Sequence, residues 1–275
     1  MFDAPVPADT AALLRLLTAD PGRPRLTWYG DDGERVELSG AVLENWVNKT
    51  TNLLVEELDA GPGTRVGLDL PVHWRTVLWA LAAWRAGATV VLAADTDGRD
   101  GTDGAGGGGR APLDALDDLD VLVTSRPSSA SGPALVVVTL AALARRAPEP
   151  LPGGAIDAAA AVMTYGDRLG WVPPADPTGS ALEVDGTTSV TYAGLASWWA
   201  PQATRERVLL AASSDVADWL ARAVATLAGD GSLVLLSPAR TADLADPAAP
   251  AYAPAREQLA RLAEDERVTR EHLAT

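Results

Sequence analysis

An α/β fold, with mostly parallel sheets flanked by helices, is predicted by three observations. Apolar runs of strand length alternate with amphipathic runs of helix length along most of the chain. Arg65 to Ala93 reads as one strand–helix–strand unit. Its second strand, Ala88 to Ala93, is apolar but for Thr89 and rich in β-branched residues, the pattern of a strand buried on both faces. The last third, from Ala181 to Leu236, repeats the same rhythm.

The elements follow in order. Asp9 or Thr10 caps a short helix carrying Leu13, Leu14, Leu16 and Leu17, and Pro21-Gly22 ends it. Arg25 to Tyr29 and Glu34 to Leu38 alternate with period two around Gly30-Asp31-Asp32-Gly33, a hairpin pattern. Ser39 caps a long helix with Val42, Trp46, Leu53, Leu54 and Leu58 on one side, and Gly61-Pro62-Gly63 breaks the chain after it. Arg65 to Leu70 is a strand, Val72 to Ala86 a helix capped by Gly87, and Ala88 to Ala93 a strand. Residues 96–112 form a glycine-rich loop. Neither an incoming strand nor a following helix makes it a nucleotide motif.

Asp120 to Thr124 and Leu135 to Val138 are strands, and Thr139 is placed to cap a helix reaching Arg146. After Pro148, Pro150 and Pro152, a helix is expected over Ala155 to Tyr165 and a linker over Val172 to Pro177. Then come a strand (Ala181 to Val184), a helix (Thr191 to Trp199) and a strand (Arg207 to Ala212). A helix over Asp215 to Leu227, a strand over Leu233 to Leu236, a loose segment over Pro247 to Pro254 and a final helix at 256–264 complete the series. We expect a single α/β domain over 1–275 with two sub-lobes, about 1–150 and 155–238, because 275 residues at 47% hydrophobic suffice for a sizeable core.

Composition removes several function classes. A formal net charge of −15 repels phosphate backbones and anionic membrane surfaces, so neither nucleic acid nor membrane is an expected partner. With no cysteine there is no disulfide or thiolate site, and two histidines are few for a His-based metal centre or triad. Met1 to Thr10 lacks the pattern of a signal peptide, and Val77 to Val91 is broken by Arg85 and Gly87 before it reaches membrane-spanning length. A cytoplasmic protein is therefore expected.

Three segments resemble the N-terminal part of the adenylate-forming superfamily, the group of acyl-CoA synthetases, peptide-synthetase adenylation domains and luciferases. Val36 to Val42, with Asn45, Val47-Asn48 and Leu53-Leu54 after it, is similar to the superfamily's Leu-Thr-Tyr-x-Glu-Leu run that leads into a large helix. Gly61-Pro62-Gly63-Thr64-Arg65-Val66-Gly67-Leu68 resembles its Gly-Asp-Arg-Val strand, and Arg85-Ala86-Gly87-Ala88 its Lys-Ala-Gly-Ala turn. Gly186-Thr187-Thr188 stands where the Ser-Gly-Thr-Thr-Gly-x-Pro-Lys-Gly phosphate loop would fall, and Arg207 to Leu236 resembles the strand–helix–strand after that loop. The chain also looks like the short, lone AMP-binding-enzyme-like proteins of high-GC bacteria.

The resemblance implies ATP or AMP as cofactor, with Gly186, Thr187 and Thr188 as a relic phosphate loop. The departures disfavour both. Asp185 replaces a neutral Ser or Thr, Ser189 replaces a glycine, the Pro-Lys-Gly end is gone, and the one lysine of the chain is Lys49. In the superfamily the adenine pocket, the ribose-binding aspartate and the lysine-bearing C-terminal domain would lie beyond Thr275. The expectation is a degenerate, non-catalytic protein that binds a ligand or a partner protein. Its alternatives are an ATP-dependent adenylating ligase completed by another subunit, or a structural protein that forms homo-oligomers.

Two readings of Asp185 to Ser189 are open. Backbone N–H groups and the Thr187 and Thr188 hydroxyls could cradle phosphate oxygens, supported by a helix from Thr191. Alternatively, Asp-Gly between two β-patterned runs is a tight hairpin turn, which local turn chemistry favours. His73 sits at a strand exit without a nearby partner, which suits capping better than catalysis. The nine tryptophans are read mainly as core fillers, with Trp198-Trp199 splitting between core and surface. Asp114, Asp117, Asp118 and Asp120 lack calcium-loop spacing and read as a solvated face, and Ser213-Ser214-Asp215 as a helix cap.

Overall fold

A computed structural model describes residues 6–31, 33–93, 118–126, 132–184, 187–201, 204–213, 215–244 and 247–273. The glycine-rich stretch at 96–112, Asp114, Asp117 and Ser214 lie outside the described residues.

The first elements are helix α1 (Thr10–Thr18), strands β1 (Pro24–Tyr29) and β2 (Arg35–Ser39), and helix α2 (Gly40–Leu58). Next come β3 (Arg65–Asp69), α3 (Trp74–Ala86), β4 (Thr89–Leu92), β5 (Val121–Thr124), β6 (Ala134–Val137), β7 (Ile156–Asp157) and the short α4 (Ala158–Ala161). The chain continues through β8 (Ser180–Val184), β9 (Thr187–Thr191), the one-turn α5 (Leu195–Trp198), β10 (Arg207–Leu210), α6 (Val216–Ala228) and β11 (Ser232–Leu236). It ends with α7 (Pro238–Thr241), α8 (Tyr252–Asp265) and β12 (Arg270–His272).

The caps follow from local chemistry. Asp9, Ser39 and Asp215 each accept a hydrogen bond from the backbone N–H three residues on, at 2.6, 3.3 and 2.9 Å, and so start α1, α2 and α6. Gly87 takes φ of 86° and closes α3 in a left-handed turn, where a glycine is favoured.

Two sheets result. The larger has seven strands in the order β7-β6-β5-β3-β4-β8-β9, parallel except for β9. The smaller has five in the order β12-β10-β11-β1-β2, parallel except for β2, and combines strands from both ends of the sequence. Helix α3 packs on β3 and β4 of the larger sheet and on α2 and α6, which pack on the smaller one. It is therefore buried on almost every side, and Trp74, Trp79 and Trp84 are all core residues although their spacing shares no face. Trp28, Trp199 and Trp219 are buried as well, whereas Trp171 is 76% exposed. Helix α8 covers the outer face of the smaller sheet through Leu259, which packs with Leu209, Val234 and Leu236.

Four expectations need correction. Thr139 to Arg146 is not a helix. The guanidinium of Arg75 donates to the carbonyls of Leu140 and Ala141, and Glu34 accepts from the Ala142 N–H, so groups a first helical turn would use are held by distant side chains. Ala155 to Tyr165 is broken into β7, α4 and a 3-10 turn, because Ile156-Asp157 pairs with β6 and delays the helix until Asp157 can cap it. Thr191 ends β9 rather than starting a helix over Thr191 to Trp199. The Tyr192 and Ala193 N–H groups bond the carbonyls of Gly179 and Pro177, and only a 3-10 turn and the one-turn α5 follow. The last helix begins at Tyr252, inside the segment expected to be loose, and β12 lies beyond it in a stretch with no strand pattern.

Gly40 opens α2 at a point of close approach. A Cβ there would stand 2.3 Å from the carbonyl oxygen of Leu17, the last buried leucine of α1. The close approach of α1 accounts for a glycine at this position. Gly40→Ala should lower stability by about 1–3 kcal/mol by forcing the two helices apart. Gly22→Ala, where nothing lies within 4 Å, should be near neutral. Urea midpoints for both variants test this, and equal midpoints would remove the packing argument.

Candidate functional site

In open α/β sheets ligands bind beyond the carboxyl ends of the strands. Here that edge of the larger sheet includes the ends of β6, β5, β3, β4 and β8, and the turn to α3 follows the end of β3.

The expected phosphate-loop residues fall on the β8–β9 hairpin. Val184 pairs with Thr187 and Glu183 with Thr188, which places Thr187 and Thr188 on β9. Asp185 and Gly186 lie outside the described residues. Because α5 is a single turn, no helix macrodipole of consequence stands behind this hairpin. Glu183 is held by Arg65 of β3, with Nη2 to Oε2 at 3.0 Å, and this ion pair reaches across β4.

At the ends of β3 and β5 the structure brings together three residues that the sequence did not single out. The Thr124 hydroxyl donates to Asp69 Oδ2 at 2.8 Å and accepts from the Arg126 N–H at 3.0 Å. The Arg126 guanidinium closes the cluster on Asp69 Oδ1 at 2.7 Å and remains 70% exposed. A sequence signal was present in the polar Asp69 and Thr124 that end two apolar strands, but their juxtaposition depends on the β3–β5 register.

His73 is buried and acts as the cap of α3. Its Nδ1 accepts from the Arg75 N–H at 3.1 Å, and its ring stands edge-on to Trp28 at 4.4 Å between centroids. Burial, reinforced by the Arg75 charge, pushes its pKa down to about 3, so the imidazole stays neutral. Arg75 lies over the ring of Trp74 at 4.4 Å, and burial lowers its pKa to about 10 against the opposing pull of Glu34. These groups fasten the turn after β6 to the smaller sheet.

Lys49 is also structural. Its Nζ donates to the Tyr165 carbonyl at 2.8 Å. Asn48 and Asn52 on the same helix donate to the carbonyls of Asp167, Gly166 and Arg168, and the Asn52 oxygen accepts from the Gly170 N–H. The polar face of α2 thus holds the segment after the 3-10 turn in place. Of the acidic cluster, Asp120 accepts from the Arg65 N–H at 2.8 Å. Among the described residues no group of three or more His, Asp or Glu side chains is arranged to hold a metal ion. Among the same residues, no helix is long and apolar enough to cross a membrane.

The architecture has known counterparts. No protein-family model matches the chain. A Mycobacterium tuberculosis protein known by a family number alone is 47% identical over 89 residues, which are 32% of this chain and 37% of that protein. Among solved structures, a Brucella canis acyl-CoA synthetase superposes with a TM-score of 0.59 at 18% identity, over 86% of this chain and 48% of that one. The N-terminal subdomain of Klebsiella oxytoca NpsA gives 0.59 at 15% identity, over 96% and 60%. A Mycobacterium tuberculosis fatty acyl-CoA synthetase gives 0.57 at 17% identity, over 83% and 44%. The chain therefore has the α/β fold of the N-terminal domain of adenylate-forming enzymes. It spans about half the length of the solved structures it matches and 37% of the Mycobacterium protein.

Proposed function

We propose that this chain is a degenerate, non-catalytic relative of the adenylate-forming enzymes that retains the fold to bind a ligand or a partner protein. The observation that carries the reading is that three candidate cationic groups are each engaged within the fold. Lys49, the single lysine of the sequence, holds a backbone carbonyl. His73 is neutral and caps a helix. Arg126 is paired with Asp69. Adenylation builds negative charge on a phosphate, and that charge must be offset by groups aimed at it in advance. Under this proposal ATP and AMP are not cofactors, and Gly186, Thr187 and Thr188 mark descent rather than a working phosphate loop. A cytoplasmic setting without nucleic-acid or membrane partners belongs to the same proposal and is supported by the net charge of −15.

The test combines pyrophosphate exchange with thermal shift. Incubated with ATP and a panel of carboxylic acids, the chain should give no exchange above background, and neither ATP nor AMP should raise Tm. A Tm rise with ATP that disappears in Thr187→Ala would overturn the reading and restore a phosphate site at the hairpin. Exchange that appears only on adding a second protein would favour the alternative of an adenylating enzyme completed by another subunit.

A further inference from the structure

A second concave site lies on the smaller sheet, away from the carboxyl edge of the larger one. Strands β10 and β12 pair in parallel with Val208 opposite Arg270 and Leu210 opposite His272. Val208, Arg270 and His272 therefore share one face, because side chains alternate along a strand. Helix α6 and Trp198 border that face and leave a surface cleft of about 200 Å3.

Two ion pairs stand in the lining. Arg222 Nε meets Asp218 Oδ2 at 2.6 Å along α6, and Arg270 Nε meets Glu206 Oε2 at 2.7 Å between the strands. His272 senses all four charges. Its pKa is lowered by burial first and then by Arg222 and Arg270, against the opposing pull of Glu206 and Asp218. With a neutral imidazole the cleft holds two positive and two negative groups and no excess of either sign. Partly exposed pairs of this kind contribute little to stability, so exchanging their partners costs little.

That arrangement discriminates among guests. Once a guest covers these groups and excludes water, a simple anion would draw an arginine from its carboxylate and leave the carboxylate without a partner, and a simple cation would strand an arginine in the same way. A molecule carrying both an ammonium and a carboxylate re-pairs every charge. Its carbon skeleton would lie on Trp198, Val208 and Ala225, which belong to the apolar part of the lining together with Ala200 and Ala221. The volume falls below the roughly 300–1,000 Å3 typical of sites for drug-sized ligands, which limits the guest to a very small molecule. We propose that this cleft binds a small zwitterion with a short apolar body, chemically of the class of a free aliphatic amino acid. The proposal does not depend on the loss of adenylation at the other sheet. Pyrophosphate exchange there would leave it standing, and failure here would leave that reading standing.

The test is an NMR titration of the full chain with three probes that differ by one charge: L-leucine, 4-methylpentanoate and 3-methylbutylamine. Leucine should shift the Trp198 indole and His272 ring resonances saturably, and each single-charge analogue should bind at least about tenfold more weakly, a difference of about 1.4 kcal/mol. Arg222→Gln should weaken leucine by a similar factor while leaving Tm within about a degree of the parent, since its ion pair is exposed. If no saturable shift appears at these two residues, or if the analogue lacking one charge binds as tightly as leucine, the proposal is wrong. Trp198→Ala provides a second variant that removes the apolar wall without touching a charge, and unchanged affinity in it would also overturn the assignment.

Discussion

Arg25→Met should destabilise the protein by about 3–5 kcal/mol, the usual cost of removing one member of a buried ion pair. For a chain of this size that corresponds to a fall in Tm on the order of 10 °C. Arg25 is 1% exposed on β1, and its guanidinium reaches two separate parts of the fold. Nε donates to the Leu17 carbonyl near the end of α1 at 3.2 Å, and Nη1 to the carbonyls of Asp230 and Gly231 at 3.0 and 3.2 Å. The same Nη1 stands 2.7 Å from Asp230 Oδ1. Methionine fills much of the volume but leaves three carbonyls and a carboxylate short of donors. Arg23 and Arg205 also approach Asp230, at 3.5 and 3.1 Å, and soften but do not replace the loss. Asp230→Asn keeps the left-handed backbone that Asp230 adopts at φ of 58°, which asparagine tolerates. A double-mutant cycle built on Arg25→Met and Asp230→Asn should therefore give a coupling energy of at least about 1 kcal/mol, read from urea melts. Additive effects would show that the pair contributes only by filling space.

Glu266→Gln should produce the second largest loss, and one that depends on pH. Glu266 ends α8 and accepts hydrogen bonds from the Tyr29 hydroxyl and from Arg35 and Arg207, which pins the last helix to the smaller sheet. Burial alone would raise its pKa, but the bonds from Tyr29, Arg35 and Arg207 outweigh burial and pull it from 4.5 to about 2. A carboxyl held below its unfolded value stabilises the fold fully above that value, and the stabilisation fades as pH falls from 4.5 toward about 2. At pH 7 the glutamine variant should lose about 1.5–3 kcal/mol, the range for hydrogen bonds to a charged group. Urea melts at pH 7 and pH 3 should show the gap between parent and variant shrinking on acidification. A gap of the same size at both values would mean that Glu266 acts through shape and not through charge.

What the sequence revealed divides along a physical line. Caps and turns were legible because their chemistry is local: Asp9, Ser39, Asp215 and Gly87 act within a few residues of themselves. The parallel β3–α3–β4 unit was legible because burial on both faces leaves a continuous apolar run. Thr139 to Arg146 was misread because Arg75 and Glu34 reach it from other elements, and no window of sequence contains all three. The short β12 carries charged residues and takes its place by pairing with β10 rather than by pattern. At the candidate site the hairpin reading of Asp185 to Ser189 rested on turn chemistry, and the β8–β9 pairing agrees with it. The Asp69–Thr124–Arg126 cluster was out of reach, since Asp69 and Thr124 lie 55 positions apart and meet only through strand register.

The smaller sheet joins Leu26 of β1 to Leu233 of β11. A ribosome adding about 5–20 residues per second would therefore release the β1–β2 hairpin roughly 10–40 s before its partner strand exists. The larger sheet draws all its strands from Arg65 to Thr191 and can close during that interval. For that time the apolar edge of β1 is open, and the nascent chain carries an unpaired strand. Vectorial synthesis thus makes this hairpin the part of the protein most in need of chaperone cover, and N-terminal fragments ending before β11 should be prone to aggregate.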